Sequence, residues 1–349
     1  MKKLIKIFIV LIILTLTSGL LFLGINPSTA EFTDDRDQKL QGSIAELEKI
    51  ELGGLDQWIS IRGADTNNPI LLWLHGGPGS TQMPFAHEFD GQLEEEFIVV
   101  HWDQRGAGKS NHSSFSETTM SFEQYKADAV ELINYLRNKF NQDSIYLLGH
   151  SWGTHFGLEV AAENPESIEA YIGVSQVVDS KRQAEIAWEW LVQEIAAAEN
   201  QSDYEKLMEI GQPPFNHSQY REFASLVIEY GGNYDLSLTE LALIALRASE
   251  YTVLDYYRLI NGMNRGGGPL HSEAGMLEYN MLNDYPSLEI PVYFLIGRND
   301  YNTPYELVRE YYELLTAPEK GIIVFEDSAH TPMFAEPEKF TQTLIDIKN

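Results

Sequence analysis

The chain contains no cysteine in its 349 residues. Disulfides, thiolate zinc sites and cysteine nucleophiles are therefore excluded, and the composition suits a chain that works outside a reducing cytosol without covalent staples. Positive charge is scarce as well: 24 Lys and Arg face 52 Asp and Glu, a formal net charge of −28. Three of those lysines and none of the acids fall within the first 30 residues, so the remainder is more acidic still. A body of this sign repels phosphate backbones, which argues against nucleic acid as a partner and for a solvated, soluble surface. Internal repeats are lacking, and the one low-complexity tract, Gly266-Gly267-Gly268, reads as a flexible loop. Hydrophobic residues make up 44% of the chain, enough to bury a full core, so a disordered or fibrous protein is excluded.

Long apolar runs are also missing, with one exception. Lys2, Lys3 and Lys6 precede Ile7 to Ile25, an uncharged run of 19 residues. As a helix it would extend about 28 Å, close to the thickness of a bilayer core. Ser28-Thr29-Ala30 offers a small-x-small cleavage site, so residues 1–30 are expected to be a signal peptide or an N-terminal membrane anchor. Either way the lysines stay inside and residues 31–349 lie outside the membrane, making the body extracytoplasmic. Residues 31–42 are polar and read as a tether.

What the sequence does hold is an alternation of strands and helices. Runs at 44–52 and 55–61, separated by Gly53-Gly54, predict an antiparallel opening pair. Short, nearly continuous apolar runs at 70–74, 97–102, 144–148 and 168–174, with helical segments at 121–140 and 152–163 among them, predict a mostly parallel sheet covered on both faces. The alternation stops after Val174. Helical stretches at 180–199, 203–210, 218–230 and 239–260 follow without a convincing strand, and strand–helix alternation resumes at 291–297, 303–315, 321–326 and 334–348. The expected organisation is an α/β core of residues 43–177 and 285–349, with a helical cap of residues 178–284 inserted over the carboxyl ends of the strands.

One turn in that core carries chemistry. Gly149-His150-Ser151-Trp152-Gly153 joins a strand to a helix, the setting of a nucleophile elbow that presents the Ser151 hydroxyl to a base. A serine needs a histidine held by a carboxylate, in the chain order Ser, acid, His. His330, in the loop after the last strand, is the expected base. His150 and His155 adjoin Ser151 in sequence but point away from its hydroxyl. Asp300, in Gly297-Arg298-Asn299-Asp300 at the carboxyl end of a strand, is the expected acid, with Asp327 as its rival. The oxyanion is expected to meet the backbone N–H groups of Trp152 and of Gly77, the latter in the Gly-rich loop His75-Gly76-Gly77-Pro78-Gly79. Gly108-Lys109-Ser110 imitates the end of a phosphate-binding loop, but Asp103 stands where the first glycine belongs. Asp103-Gln104-Arg105-Gly106 reads instead as a structural turn beneath the site.

His75-Gly76-Gly77-Pro78-Gly79, Trp102-Asp103-Gln104-Arg105-Gly106-Ala107-Gly108-Lys109-Ser110 and Gly149-His150-Ser151-Trp152-Gly153 together resemble the proline iminopeptidase (prolyl aminopeptidase) family, serine peptidases of the α/β-hydrolase fold with a helical cap. The resemblance covers about residues 44–349. It implies release of an N-terminal residue, typically proline, from short peptides or small amides, with no metal or cofactor and with Ser151, Asp300 and His330 as the triad. It also implies cap carboxylates that hold the substrate's free amine, for which Glu185, Glu189 and Glu194 are candidates. The sequence departs from the family in reading Gly-His-Ser where Gly-Gly-Ser is common, and in its N-terminal segment. An esterase or amidase acting on small esters or amides is the alternative enzyme. A non-catalytic binding module would be favoured by a missing triad member, and none is missing. Epoxide hydrolases and haloalkane dehalogenases place Asp where this chain has Ser151.

Overall fold

A computed structural model of the chain describes residues 27–265, 270 and 279–349. The N-terminal apolar run and the triglycine, on which the anchor and flexible-loop expectations rest, lie outside the described residues. Among the described residues no helix is long and apolar enough to cross a membrane.

Eight strands form one sheet: β1 (Ile44–Leu52), β2 (Leu55–Gly63), β3 (Ile70–Leu74), β4 (Ile98–Asp103), β5 (Ile145–His150), β6 (Ile168–Val174), β7 (Val292–Gly297) and β8 (Lys320–Phe325). Their spatial order is β1-β2-β4-β3-β5-β6-β7-β8. The first two pair antiparallel from Ile44↔Gly63 to Leu52↔Leu55, and β2 meets β4 antiparallel; every later pair is parallel. The two residues that close the opening hairpin, Gly53 and Gly54, have φ of 54° and 71°, the left-handed conformation a tight two-residue turn requires. Central strands such as β3 (Ile-Leu-Leu-Trp-Leu) are buried along their whole length, because helices cover both faces.

The pleat sends alternate residues of each strand to opposite faces. Leu72 and Leu74 join Leu147 and the helices α1 (Phe122–Phe140), α2 (Trp152–Glu163) and α8 (Tyr305–Leu314) on one side. Leu71 and Trp73 join Leu148 and α9 (Pro337–Lys348), through Phe340 and Leu344, on the other. Ser121 caps α1 by accepting from Gln124 N–H, and Asn141 ends it in a left-handed conformation.

Between β6 and β7 the chain leaves the sheet to form α3 (Ser180–Ala197), α4 (Gln201–Ile210), α5 (His217–Glu229), α6 (Leu238–Ala245) and α7 (Val253–Arg265). The first three of these helices carry a small core of their own around Leu191, Leu207, Phe223 and Leu226. The single helix expected over residues 239–260 is two, broken across residues 246–252. Tertiary contacts explain the break. The Tyr251 hydroxyl donates to Asp103 at 2.5 Å, and Lys109 Nζ donates to the Glu250 carbonyl at 2.8 Å, pulling this stretch inward against the core.

Candidate active site

The elbow is built by close approach of two backbones. A Cβ on Gly153 would lie 2.1 Å from the Leu74 carbonyl oxygen, and one on Gly149 would lie 2.8 Å from the Gly153 carbonyl oxygen, so only glycine lets α2 start this close to β3 and β5. The residue between them takes up the turn: Ser151 has φ 51° and ψ −117°, a conformation that costs a side-chain-bearing residue about 1–3 kcal/mol. Although Ser151 sits at the N-cap of α2, its hydroxyl makes no capping bond there. It faces a cavity of about 270 Å³ whose floor also includes Gly76, Gly77 and His330.

His330 lies beyond β8 and is nearly fully buried. Its Nδ1 is 2.8 Å from Asp300 Oδ2, an arrangement in which Nδ1–H donates to the carboxylate and Nε2 keeps its lone pair. Nε2 in turn accepts from the Asn302 amide at 3.1 Å. Asp300 is well held: Oδ1 accepts from the N–H groups of Asn302 at 2.9 Å and Thr303 at 2.8 Å, and Oδ2 accepts from the Thr303 hydroxyl at 2.6 Å. Burial would raise the Asp300 carboxyl, but the neighbouring His330 and Thr303 outweigh it and hold the group below the usual carboxylate range. The rival acid, Asp327, is exposed.

Two further histidines serve as neutral fittings. His150 Nε2 donates to the His330 carbonyl at 3.0 Å, and burial is the largest influence pulling its pKa down to about 3. His75 Nδ1 donates to the Gly76 carbonyl at 2.7 Å, while its Nε2 accepts from Gln104 N–H at 3.2 Å. Burial is the largest influence on His75, whose pKa falls to about 4. The Gly76-Gly77 loop is thereby fixed beside the nucleophile, so close that a Cβ on Gly76 would be 3.3 Å from Ser151 Cβ. Trp152, the first residue of α2, is buried and donates its indole N–H to Gln104 at 3.1 Å, and the Gln104 amide donates to the His75 carbonyl at 3.1 Å, which ties the elbow to that loop.

The Asp103 turn divides its partners between core and cap. Asp103 accepts from the Thr81 hydroxyl, from the Tyr251 hydroxyl and, at 2.7 Å, from Lys109 N–H, yet burial pushes its carboxyl up to about 6. Lys109 Nζ is buried 2.8 Å from Asp255 of α7, which leaves no phosphate-binding lysine in that motif. Arg105 forms a bidentate pair with Asp128 of α1, both bonds at 2.9 Å.

The expected cap carboxylates are not at the cavity. Glu185, Glu189 and Glu194 are all exposed and none of them lines it. The reason is helical phase: α3 turns Ala187, Leu191 and Ile195 into the cap core, which sends Glu185 and Glu189 to its far face. Among the described residues no carboxylate lines the cavity at all. Its walls are apolar, with Leu238, Leu259, Met263 and Phe334 prominent, and its polar groups beyond the floor include Asn233, Tyr220 and Tyr234. Asn233 Oδ1 is buried without a hydrogen-bond partner.

Sequence reasoning also missed the group that holds the histidine loop. Asp235, from the link between α5 and α6, accepts from Ala329 N–H at 2.7 Å through Oδ1. Its Oδ2 accepts from Thr331 N–H at 3.0 Å, the Thr331 hydroxyl at 2.8 Å and the Ser328 hydroxyl at 3.0 Å. Two residues earlier, the Asn233 carbonyl accepts from His330 N–H at 2.8 Å. No local pattern around Asn233-Tyr234-Asp235 signals this, because its partners lie some 95 residues downstream. Asn302 and Thr303 were more accessible to reasoning, since they follow Asp300 in the same strand-end loop.

Comparison with known proteins places the chain among α/β hydrolases. A family model for the α/β hydrolase fold matches residues 69–337. The probable aminopeptidase YbaC of Bacillus subtilis (strain 168) is 34% identical over 309 residues, covering 86% of this chain and 96% of that protein. A proline iminopeptidase of Heyndrickxia coagulans is 26% identical over 305 residues, covering 83% of this chain and 95% of its own. Among solved structures, a proline iminopeptidase from Mycobacterium smegmatis superposes with a TM-score of 0.63 at 16% identity, covering 86% of this chain and 97% of that one. VinJ superposes with a TM-score of 0.61 at 21% identity, covering 86% and 97% respectively. At such identities the structural likeness is one of fold.

Proposed function

Starting from the fact that the chain belongs to the α/β-hydrolase fold family, we propose that it is a serine hydrolase that releases N-terminal residues, proline among them, from short peptides through an acyl-enzyme. The observation that carries this reading is the strained Ser151 turn opening into the same cavity as His330, whose Nδ1 is 2.8 Å from Asp300. The names of the relatives, aminopeptidase and proline iminopeptidase, support the same reaction class.

In this reading Ser151 Oγ attacks the carbonyl carbon of the N-terminal residue and passes its proton to His330 Nε2. Asp300 keeps the imidazole in the tautomer that receives it and stabilises the imidazolium that forms. The oxyanion is met by the N–H groups of Gly77 and Trp152, the second at the positive end of α2. His330 then protonates the leaving amine, the bond to nitrogen breaks, and an acyl-Ser151 ester remains. Water, deprotonated by His330, attacks that ester and frees the amino acid. The unpartnered Asn233 Oδ1 accepts a hydrogen bond from the substrate's ammonium group, taking the place that sequence reasoning gave to glutamates. The N-terminal segment holds or exports the enzyme so that residues 31–349 work outside the membrane.

The test compares proline naphthylamide with its N-acetyl form in purified enzyme, alongside fluorophosphonate labelling. Preference for the free amine, weakened about tenfold in an Asn233→Ala variant, is the expected result. Equal rates on the two amides would overturn the aminopeptidase reading, and absence of label on Ser151 would overturn the serine mechanism.

A further inference from the structure

The exposed large apolar side chains are concentrated in one place. Of the 13 among the described residues, eight lie between residues 238 and 263, on α6, α7 and the link that joins them. Leu238, Leu246, Val253 and Tyr257 are 75, 68, 63 and 66% exposed. On α7 the usual order of an amphipathic helix is reversed: Val253, Leu254, Tyr257 and Ile260 face solvent, while Asp255 is buried against Lys109. Acids avoid this face. In a chain with 52 of them, Glu240 is the one carboxylate between residues 238 and 264 that is exposed. Exposed apolar side chains concentrated in this way mark a surface that is covered when the protein works.

The route of the chain indicates what covers it. Ser28 N–H donates to the Ser249 carbonyl at 3.2 Å, and Thr29 Oγ1 and the Ala30 carbonyl accept from Arg62 at 2.5 Å. Ser249 belongs to the link between α6 and α7. The chain therefore enters the described body at the link that joins the two apolar helices, just after the 19-residue uncharged run Ile7 to Ile25 and the three lysines before it. An anchor inserted in lipid would hold the α6–α7 link, and with it these apolar helices, beside the bilayer.

We propose that the α6–α7 face rests on the lipid bilayer in which the N-terminal segment is inserted. The proposal builds on the membrane reading of that segment made above. Leu238 and Met263 belong both to this face and to the cavity wall, so the cavity opens at the lipid surface and its substrates reach Ser151 from there.

The native absence of cysteine makes the test direct. Leu246→Cys and Tyr257→Cys place a label on the face, and Leu314→Cys, a leucine 61% exposed on α8, serves as the control. Each full-length variant is labelled with an NBD fluorophore and reconstituted in phosphatidylcholine vesicles, with or without doxyl-labelled lipid. The expected result is blue-shifted emission at positions 246 and 257, quenched by doxyl lipid at least about twofold more than at position 314. Indistinguishable emission at the three positions would overturn the proposal. So would a blue shift at 246 and 257 that doxyl lipid does not quench, because protein, either the N-terminal segment or a second copy, would then cover the face. Protein that fails to float with the vesicles would overturn both the anchor and the docking surface. Fluorophosphonate labelling of the same samples reports separately on Ser151, so loss of hydrolase chemistry and loss of lipid contact are distinguishable.

Discussion

Replacing Asp235 tests whether the cap positions the base. Its carboxylate accepts four hydrogen bonds from Ser328, Ala329 and Thr331, the residues that flank His330 on both sides. Hydrogen bonds to a charged group contribute about 1.5–3 kcal/mol each, but Asp235 is only half-buried, and water would replace part of what Asp235→Ala removes. A net destabilisation of about 2–4 kcal/mol is expected, in the range of other losses of a polar network. The catalytic effect comes from geometry. A displacement of the imidazole of about 1 Å from its productive position costs on the order of 100-fold, so kcat/KM should fall about 10–100-fold, which corresponds to about 1.4–2.7 kcal/mol of barrier. Asp235→Asn keeps one acceptor oxygen and turns an amide N–H₂ toward the remaining donors, so it should fall between the two. The assay is steady-state hydrolysis of an aminoacyl naphthylamide at a temperature well below each variant's Tm, with the fluorophosphonate labelling rate measured in parallel. Loss confined to Tm, with kcat/KM and labelling rate within about twofold of the parent, would refute a positioning role and leave Asp235 as a purely structural tie.

Ser151→Ala should keep the parent's Tm, because alanine retains the Cβ that strains the elbow, while kcat falls by a factor of about 10³–10⁶, measured by burst-corrected turnover. Gly153→Ala should yield little folded protein by circular dichroism, since the added Cβ meets the Leu74 carbonyl at 2.1 Å with backbone on both sides of the clash. The pH dependence of stability follows from His75 and His150, whose folded pKa values lie near 4 and 3, below the unfolded value near 6.5. Their contribution is complete above about pH 6.5 and is lost as pH falls toward those folded values, because the unfolded chain takes up protons that the native site refuses. Each group should remove about 1.4 kcal/mol per pH unit across that window, and thermal melts of a His150→Gln variant should show a shallower decline between pH 6.5 and pH 4 than the parent.

The parts of the site that sequence made visible are those set by local rules. Gly149 and Gly153 around Ser151, continuous apolar runs for buried strands, and the positions of Asp300 and His330 just past strand ends all follow from short-range geometry. The Gly53-Gly54 hairpin and the α/β alternation are of the same kind. The features that escaped are those in which a distant partner decides. Glu185 and Glu189 carry the right charge, but the phase of α3 against Leu207 and Phe223 sends them away from the cavity, and Glu194 is exposed and does not line it either. Asp235 and Asn233 sit in a link without pattern, and they acquire a role only when the loop around His330 folds onto them. The continuous helix expected over 239–260 had good local propensity, and it gave way to the inward pull of Asp103 and Lys109.

The bonds between cap and core bear on how this scaffold could be recombined. Asp103 and Lys109 of the core engage Tyr251 and Asp255 of the cap, and Asp235 of the cap engages the segment that carries His330. A transplanted cap would strand a buried ammonium and a buried carboxylate in the recipient, and it would remove the brace from the recipient's own imidazole. Specificity in this enzyme is therefore not a detachable module. Chimeras should function only when residues 103–109, 232–255 and 328–331 travel together as a unit.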